Sequence, residues 1–185
     1  MAEPQASPAE AEPADRPADR PAGRPAPSGG PGARIRRAWQ RLSTLPGGRW
    51  LFSRMIDLIA PYTGSIRARV EELGPGHCRV SLRERRALRN PFRSVHAVAL
   101  INLAEEASGL ATLYALPDGV RGIITKLECE YRKKARGKIT ATCDTLPPTE
   151  IPAEPIPHVA EVTLTDEAGE VVAVAKATWT LAGVR

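Results

Sequence analysis

Asn90-Pro91-Phe92-Arg93-Ser94-Val95-His96-Ala97-Val98-Ala99-Leu100-Ile101-Asn102-Leu103-Ala104-Glu105-Glu106-Ala107-Ser108-Gly109-Leu110-Ala111 is the stretch on which the reading of the fold turns. No proline or polar cluster interrupts it after Pro91, and apolar residues recur at helical spacing, so one long helix is expected over residues 95–116. Placed at about 100° per residue, Ala99, Leu100, Leu103, Ala104, Ala107, Leu110 and Ala111 form a broad apolar face. Val98, Ile101 and Gly109 form a second apolar stripe on the other side, shared by Asn102, Glu105, Glu106, Ser108 and Thr112. A surface helix needs only one such face. Two faces fit a helix wrapped by a sheet whose other side meets a partner subunit, with Ser108 and Gly109 permitting close approach.

Outward from the helix the pattern changes to period two. Ile66, Ala68 and Val70 alternate with Arg67, Arg69 and Glu71; after Gly74-Pro75-Gly76, Val80 and Leu82 alternate with Arg79, Ser81 and Arg83. This predicts a half-buried hairpin. Beyond the helix, strands are expected over about 123–132, 138–144, 159–165 and 170–181, with hairpins closed at Gly137 and at Asp166-Glu167-Ala168-Gly169. Two strands, one long helix and four strands read as an α+β fold with the helix lying across one sheet.

Upstream, residues 34–60 predict a helical segment broken at Pro46-Gly47-Gly48. Its mixture of Arg36, Arg37 and Arg41 with Trp39 and Trp50 admits contact with a membrane surface. The apolar run of residues 50–59 argues instead for a helix packed over the domain. Residues 1–33 hold eight of the 18 prolines and read as a disordered tail. The expected organisation is therefore a tail over 1–33, a helical segment over 34–60 and one domain over 61–185.

Three of the 26 Lys+Arg and five of the 21 Asp+Glu fall in residues 1–33, leaving the rest at net +7. A basic body suits an anionic ligand, although an Arg-rich solvated surface has the same composition. Nucleic acid is disfavoured: no recognition motif is present, and no aromatic platform accompanies the basic residues. The start lacks a signal-peptide pattern, and no apolar run is long enough to span a bilayer. Cys78, Cys129 and Cys143 form no metal-binding cluster and fit a reducing, cytoplasmic setting.

Chemistry concentrates around residues 90–105. Ser94 is a candidate N-cap, which leaves the first helical N–H groups, including that of Ala97, free at the positive end of the helix dipole. Such a position suits an oxyanion. A carboxylate among apolar neighbours, as Glu105 would be, is costly unless paired or used, and its pKa can rise toward that of a general base. Asn90 and His96 complete a set sufficient for acyl transfer. Each also has a simpler reading: Glu105 and Glu106 as solvated helix residues, and His96 as a structural residue at a helix start.

The spacing Asn90-x5-His96-x8-Glu105, with Leu103-Ala104-Glu105-Glu106-Ala107, resembles the signature of hotdog-fold thioesterases of the phenylacetate-degradation (PaaI-like) type. With the helices of 34–60, it is similar to a branch known mainly as a domain of unknown function. The resemblance implies a curved antiparallel sheet around the central helix, and dimers or dimers of dimers with sites at the subunit interface. It implies an acyl-CoA-type thioester as substrate and no separate cofactor or metal. Glu105 would act as general base or nucleophile, Asn90 would hold the water or thioester, the Ala97 N–H would bind the oxyanion, and His96 would orient the loop or polarise the carbonyl. Arg93, Arg132, Lys133 and Lys134 are candidate contacts for the CoA phosphates; a solvated hairpin tip is the plain alternative for the last three. Ala97-Val98 departs from the Gly-Gly usual in the family, which fits either an altered acyl preference or a module that binds acyl-CoA without turnover.

Overall fold

In the computed structural model, residues 30–183 are described. The tail reading over 1–33 lies outside them except at its end. There helix α1 (Pro31–Leu42) starts, Pro31 serving as a first-turn proline, and it already buries Gly32 and Ala33. Helix α2 (Gly48–Ile59) follows, entered through Gly47 at φ 74°, and a single turn α3 (Pro61–Gly64) leads into the sheet. Trp39 and Phe52 meet edge to face at 5.0 Å and join α1 to α2.

Six strands, β1 (Arg69–Gly74), β2 (His77–Arg83), β3 (Val120–Tyr131), β4 (Lys138–Asp144), β5 (Ile156–Thr165) and β6 (Val171–Gly183), form one curved antiparallel sheet. Their order is β1-β2-β4-β5-β6-β3. Alternation places Val70, Val80, Leu82, Ile139, Ala141, Val162 and Leu164 in the core, as period two requires. Helix α4 (Ala97–Ala115) crosses this face and touches all six strands. Alanines line both partners: Ala104, Ala107 and Ala111 on the helix, and Ala141, Ala160, Ala173 and Ala177 on the strands, are fully buried. Small side chains on both surfaces let the helix lie close to the sheet.

The hairpins at Gly74–Gly76 and Asp166–Gly169 form as expected. The hairpin expected at Gly137 does not. β3 pairs with β6, β4 pairs with β2 and β5, and β3 is left as the sheet's far edge. Residues 132–137 are a crossover. Gly137 adopts φ 71° to dock on Glu84: its N–H donates to the Glu84 carboxylate at 2.8 Å, and the Glu84 N–H donates to its carbonyl. A glycine followed by an alternating run signals a left-handed turn but not which strand comes next in the sheet.

The wheel's broad apolar face is buried throughout. Its second side divides. Val98 is exposed and Ile101 and Glu105 are half-buried, whereas Asn102, Glu106, Ser108, Gly109 and Thr112 are buried within the same chain. The wheel predicts that Gly109 faces a second subunit. A Cβ there would lie 3.2 Å from the Trp179 ring, so this glycine makes room for its own chain's tryptophan. The apolar run of 50–59 is likewise only half used. Phe52 and Ile56 are buried, while Trp50, Leu51, Leu58 and Ile59 are exposed. A helix seated on one side of a domain buries one stripe, however apolar the rest of its surface.

Candidate functional site

The residues before α4 form a compact loop built by Asn90. Its Oδ1 accepts from the Phe92 N–H at 3.0 Å, the Ser94 N–H at 3.2 Å and the Ser94 hydroxyl at 3.2 Å, and its Nδ2 donates to Ser94 Oγ at 3.0 Å. This Asx-type turn holds Arg93 at φ 55°. Ser94 is thus part of the turn and not the N-cap. The N-cap is His96, whose Nδ1 accepts from the Val98 N–H at 3.2 Å. An accepting Nδ1 places the ring proton on Nε2. The loop is fixed from behind, because the His96 N–H donates to Leu88 O and the Val95 N–H to Ala135 O, each at 2.8 Å.

The Ala97 N–H, first of the helix, meets no acceptor among the described residues. Ala97 lines a cavity of about 230 Å³ together with Asn90, Phe92, Tyr131, Lys133 and Lys134 among others. Sequence reasoning missed Tyr131. Its hydroxyl donates to Ala97 O at 3.1 Å, and burial, helped by neighbouring Cys129, pushes its phenol up to about 12. No sequence signal ties the end of β3 to a helix start 34 residues earlier.

Of the predicted basic residues, Arg132, Lys133 and Lys134 line this cavity, in different states, and Arg93 does not. Lys133 is held by Asp166 at 2.7 Å and by Glu170. The Arg132 Nε lies 3.5 Å from Glu130. Lys134 sits 5.9 Å above the Phe92 ring. Arg93 and Lys134 make no ion pair among the described residues. His96 faces elsewhere, onto a second cavity of about 320 Å³ with Tyr62, Leu88, Val98 and Asn102.

Glu105 lines neither cavity. Its carboxyl is half-buried, has no hydrogen-bond partner among the described residues, and is raised above the usual carboxylate range by desolvation. Glu106 is buried more deeply. Desolvation first, then the Asp57 carboxylate, push it to about 8 against the opposing pull of Arg54. The signal for Glu106 was its i, i+4 relation to Asn102, whose amide donates to Tyr62 O at 3.4 Å. α2 and α3 cover that flank, which the helix's own sequence does not reveal.

Residues 48–181 match the model of a domain of unknown function, DUF4442. A structural-genomics protein known only by its target designation is 30% identical, with a TM-score of 0.69 over 82% of this chain and 100% of its own. A Pseudomonas aeruginosa protein described as a probable thioesterase is 23% identical, with a TM-score of 0.62 over 75% of this chain and 97% of its own. A thioesterase of Staphylococcus aureus is 17% identical, with a TM-score of 0.58 over 66% of this chain and 99% of its own. No curated protein matches.

Proposed function

The chain belongs to the DUF4442 family, and on that premise we propose that it is a PaaI-like hotdog-fold thioesterase that hydrolyses an acyl thioester of the acyl-CoA type at a site shared by two copies. The observation that carries this reading is the Glu105 carboxyl, half-buried and unpartnered on the flank of α4 that its own chain leaves open. From Ala97 to Glu105 the helix rises about 12 Å, too far for one chain's carboxylate to serve its own loop. A second copy with its α4 running alongside could deliver the acid. The unpaired edge strand β3, 12 residues long, offers a place for the two sheets to join. In the Staphylococcus enzyme, a Gln and a Glu replaced in crystallised variants are fifteen positions apart, as Asn90 and Glu105 are here.

Glu105 then takes a proton from water as the water oxygen attacks the thioester carbonyl, or attacks that carbon itself to give an anhydride that water opens. The free Ala97 N–H receives the oxyanion. Collapse of the tetrahedral species expels the thiolate. Asn90 sets the loop that holds Ala97, and His96, facing the other cavity, orients that loop by capping the first turn of α4. Lys134 is the cavity cation best placed for CoA phosphates, with Arg132 and Lys133 already engaged by carboxylates and Arg93 outside the cavity lining. Thiol release from short, medium, long and aromatic acyl-CoAs tests the proposal, and a pure protein inactive on all of them sinks it.

A second reading is a module that binds acyl-CoA without turnover. The use of every Asn90 amide contact within its own turn favours it. Saturable acyl-CoA binding with no thiol release selects this reading.

A further inference from the structure

A cavity larger than the one beside that loop lies away from it, between α2 and the outer face of β1, β2 and β4. It has a volume of about 550 Å³ and is lined by Trp50, Arg54, Arg67, Arg69, Arg83 and Lys138, with Glu71 as its one carboxylate. Glu71 is occupied by Lys138 at 2.7 Å and by Arg79. Arg54 is paired with Asp57 at 2.6 Å. Arg67, Arg69 and Arg83 form no ion pair among the described residues, so the groove keeps a net positive charge. Beside it runs an apolar ridge. Trp50 (58% exposed), Leu51 and Leu58 (82% exposed) stand on the outer side of α2, with Ile59 and Tyr62 exposed just beyond. Unpaired cations beside exposed aromatic and aliphatic side chains on a helix are the two components of interfacial membrane binding.

We propose that this face docks on an acidic phospholipid surface, with Arg67, Arg69 and Arg83 taking lipid phosphates and Trp50, Leu51 and Leu58 entering the acyl boundary. The charge favours a bilayer over a second copy of the chain. A two-fold contact through this face would set the arginine groove of one copy near that of the other, and like charges oppose such pairing. An anionic surface complements the groove. The proposal does not depend on the chemistry at Glu105, and no helix of the described residues is long and apolar enough to cross the membrane.

The chain carries its own reporter. Of its three tryptophans, Trp39 and Trp179 are each 7% exposed and only Trp50 is open to solvent. Titration of the full chain with vesicles of phosphatidylglycerol and phosphatidylcholine is expected to shift tryptophan emission to the blue and to carry the protein up in flotation. Pure phosphatidylcholine should do neither, and binding to the acidic vesicles should weaken with added salt. Replacing the three arginines together (Arg67→Asn, Arg69→Gln, Arg83→Gln) should lower partitioning on the order of a hundredfold. Leu58→Ser, at the most exposed position, should lower it without touching the charge. Equal binding to both vesicle types, no binding to either, or full binding by the triple variant would each overturn the proposal. Concentration-dependent self-association that Leu58→Ser abolishes would overturn it in favour of a second copy. Activity in thiol release, present or absent, bears on none of these outcomes.

Discussion

Glu105 and Glu106 are adjacent in sequence and occupy different flanks of α4, one left open by the chain and one closed by it. The closed flank is covered by α2 and α3, where Asn102 reaches Tyr62 and Glu106 lies within electrostatic reach of Arg54 and Asp57. The open flank presents an exposed Val98 and half-buried Ile101 and Glu105, and Glu105 has no hydrogen-bond partner among the described residues. Both carboxyls are raised by desolvation. The difference teaches that a perturbed pKa alone does not pick the reactive acid. The more perturbed Glu106 is walled in, whereas the less perturbed Glu105 is only half-buried, which is why Glu105 is the acid proposed.

The sharpest way to break this comparison is to exchange each carboxyl for an amide of the same shape. Glu105→Gln is expected to lower kcat by about two to four orders of magnitude, the usual range for loss of a general base, with no loss of thermal stability. Glu106→Gln is expected to stay within a few-fold of wild-type turnover. The reverse pattern in thiol-release assays would move the chemistry to the closed flank.

Stability against pH gives the next largest effect. Unfolded, the Glu106 carboxyl ionises near 4.5; folded, near 8. Between those values the native state holds the extra proton, so Glu106's contribution is full below about 4.5, declines as pH rises and is gone above about 8. At about 1.4 kcal/mol per pKa unit, the whole effect is on the order of 5 kcal/mol. Glu105 adds a smaller term of the same sign, while the lowered pKa values of Glu71, Glu84 and Asp166 act in the opposite sense at acid pH. Denaturant titrations at pH 5 and pH 9 should show wild type losing stability with rising pH and Glu106→Gln losing much less. Parallel curves would mean that Glu106 is not buried as a neutral acid.

What sequence could and could not convey follows the same division. The central helix, both local hairpins and the placement of Asn90, Ala97, Lys133 and Lys134 around one cavity were legible, because periodicity and short spacings encode contacts between near neighbours. The strand order was not: pairing β3 with β6 and β4 with β2 is a property of the closed sheet, and Gly137 reads alike in a hairpin and a crossover. The cover over Glu106 comes from α2, some fifty residues away, and the helix's own pattern could not distinguish a flank met by that segment from one met by a partner. Spacing marks His96 as a site residue. Its capping of the Val98 N–H becomes visible only once the N-cap moves from Ser94.

The closed flank can be loosened without touching a carboxyl. Gly32 brings α1 against α4 so closely that a Cβ would lie 2.2 Å from Leu113 O. This approach lets Arg36 donate to Tyr114 O at 3.0 Å and Leu116 O at 2.6 Å, capping the last carbonyls of α4 at the negative end of its dipole. Gly32→Ala must push α1 away and is expected to cost about 1–3 kcal/mol, read as a lower urea midpoint. Turnover per folded molecule should be unchanged, since this lies at the other end of α4 from the loop. A loss of kcat without loss of stability would mean that the two ends are coupled.

Tyr131→Phe probes the open side with the smallest expected effect. The variant keeps the ring that lines the cavity and removes the hydroxyl that donates to Ala97 O. That carbonyl belongs to the same residue as the free N–H, so the bond steadies the first turn of α4 where the oxyanion would sit. It is solvent-exposed, and water can replace the donor, which limits the loss to about 1 kcal/mol, or roughly fivefold in kcat/KM. Because the phenol is pushed up to about 12, it stays protonated across the working range, and wild type and variant should share one pH profile. A variant that loses activity by orders of magnitude, or whose profile changes shape below pH 9, would make Tyr131 a participant in proton transfer and shift the centre of the site from α4 to the edge strand.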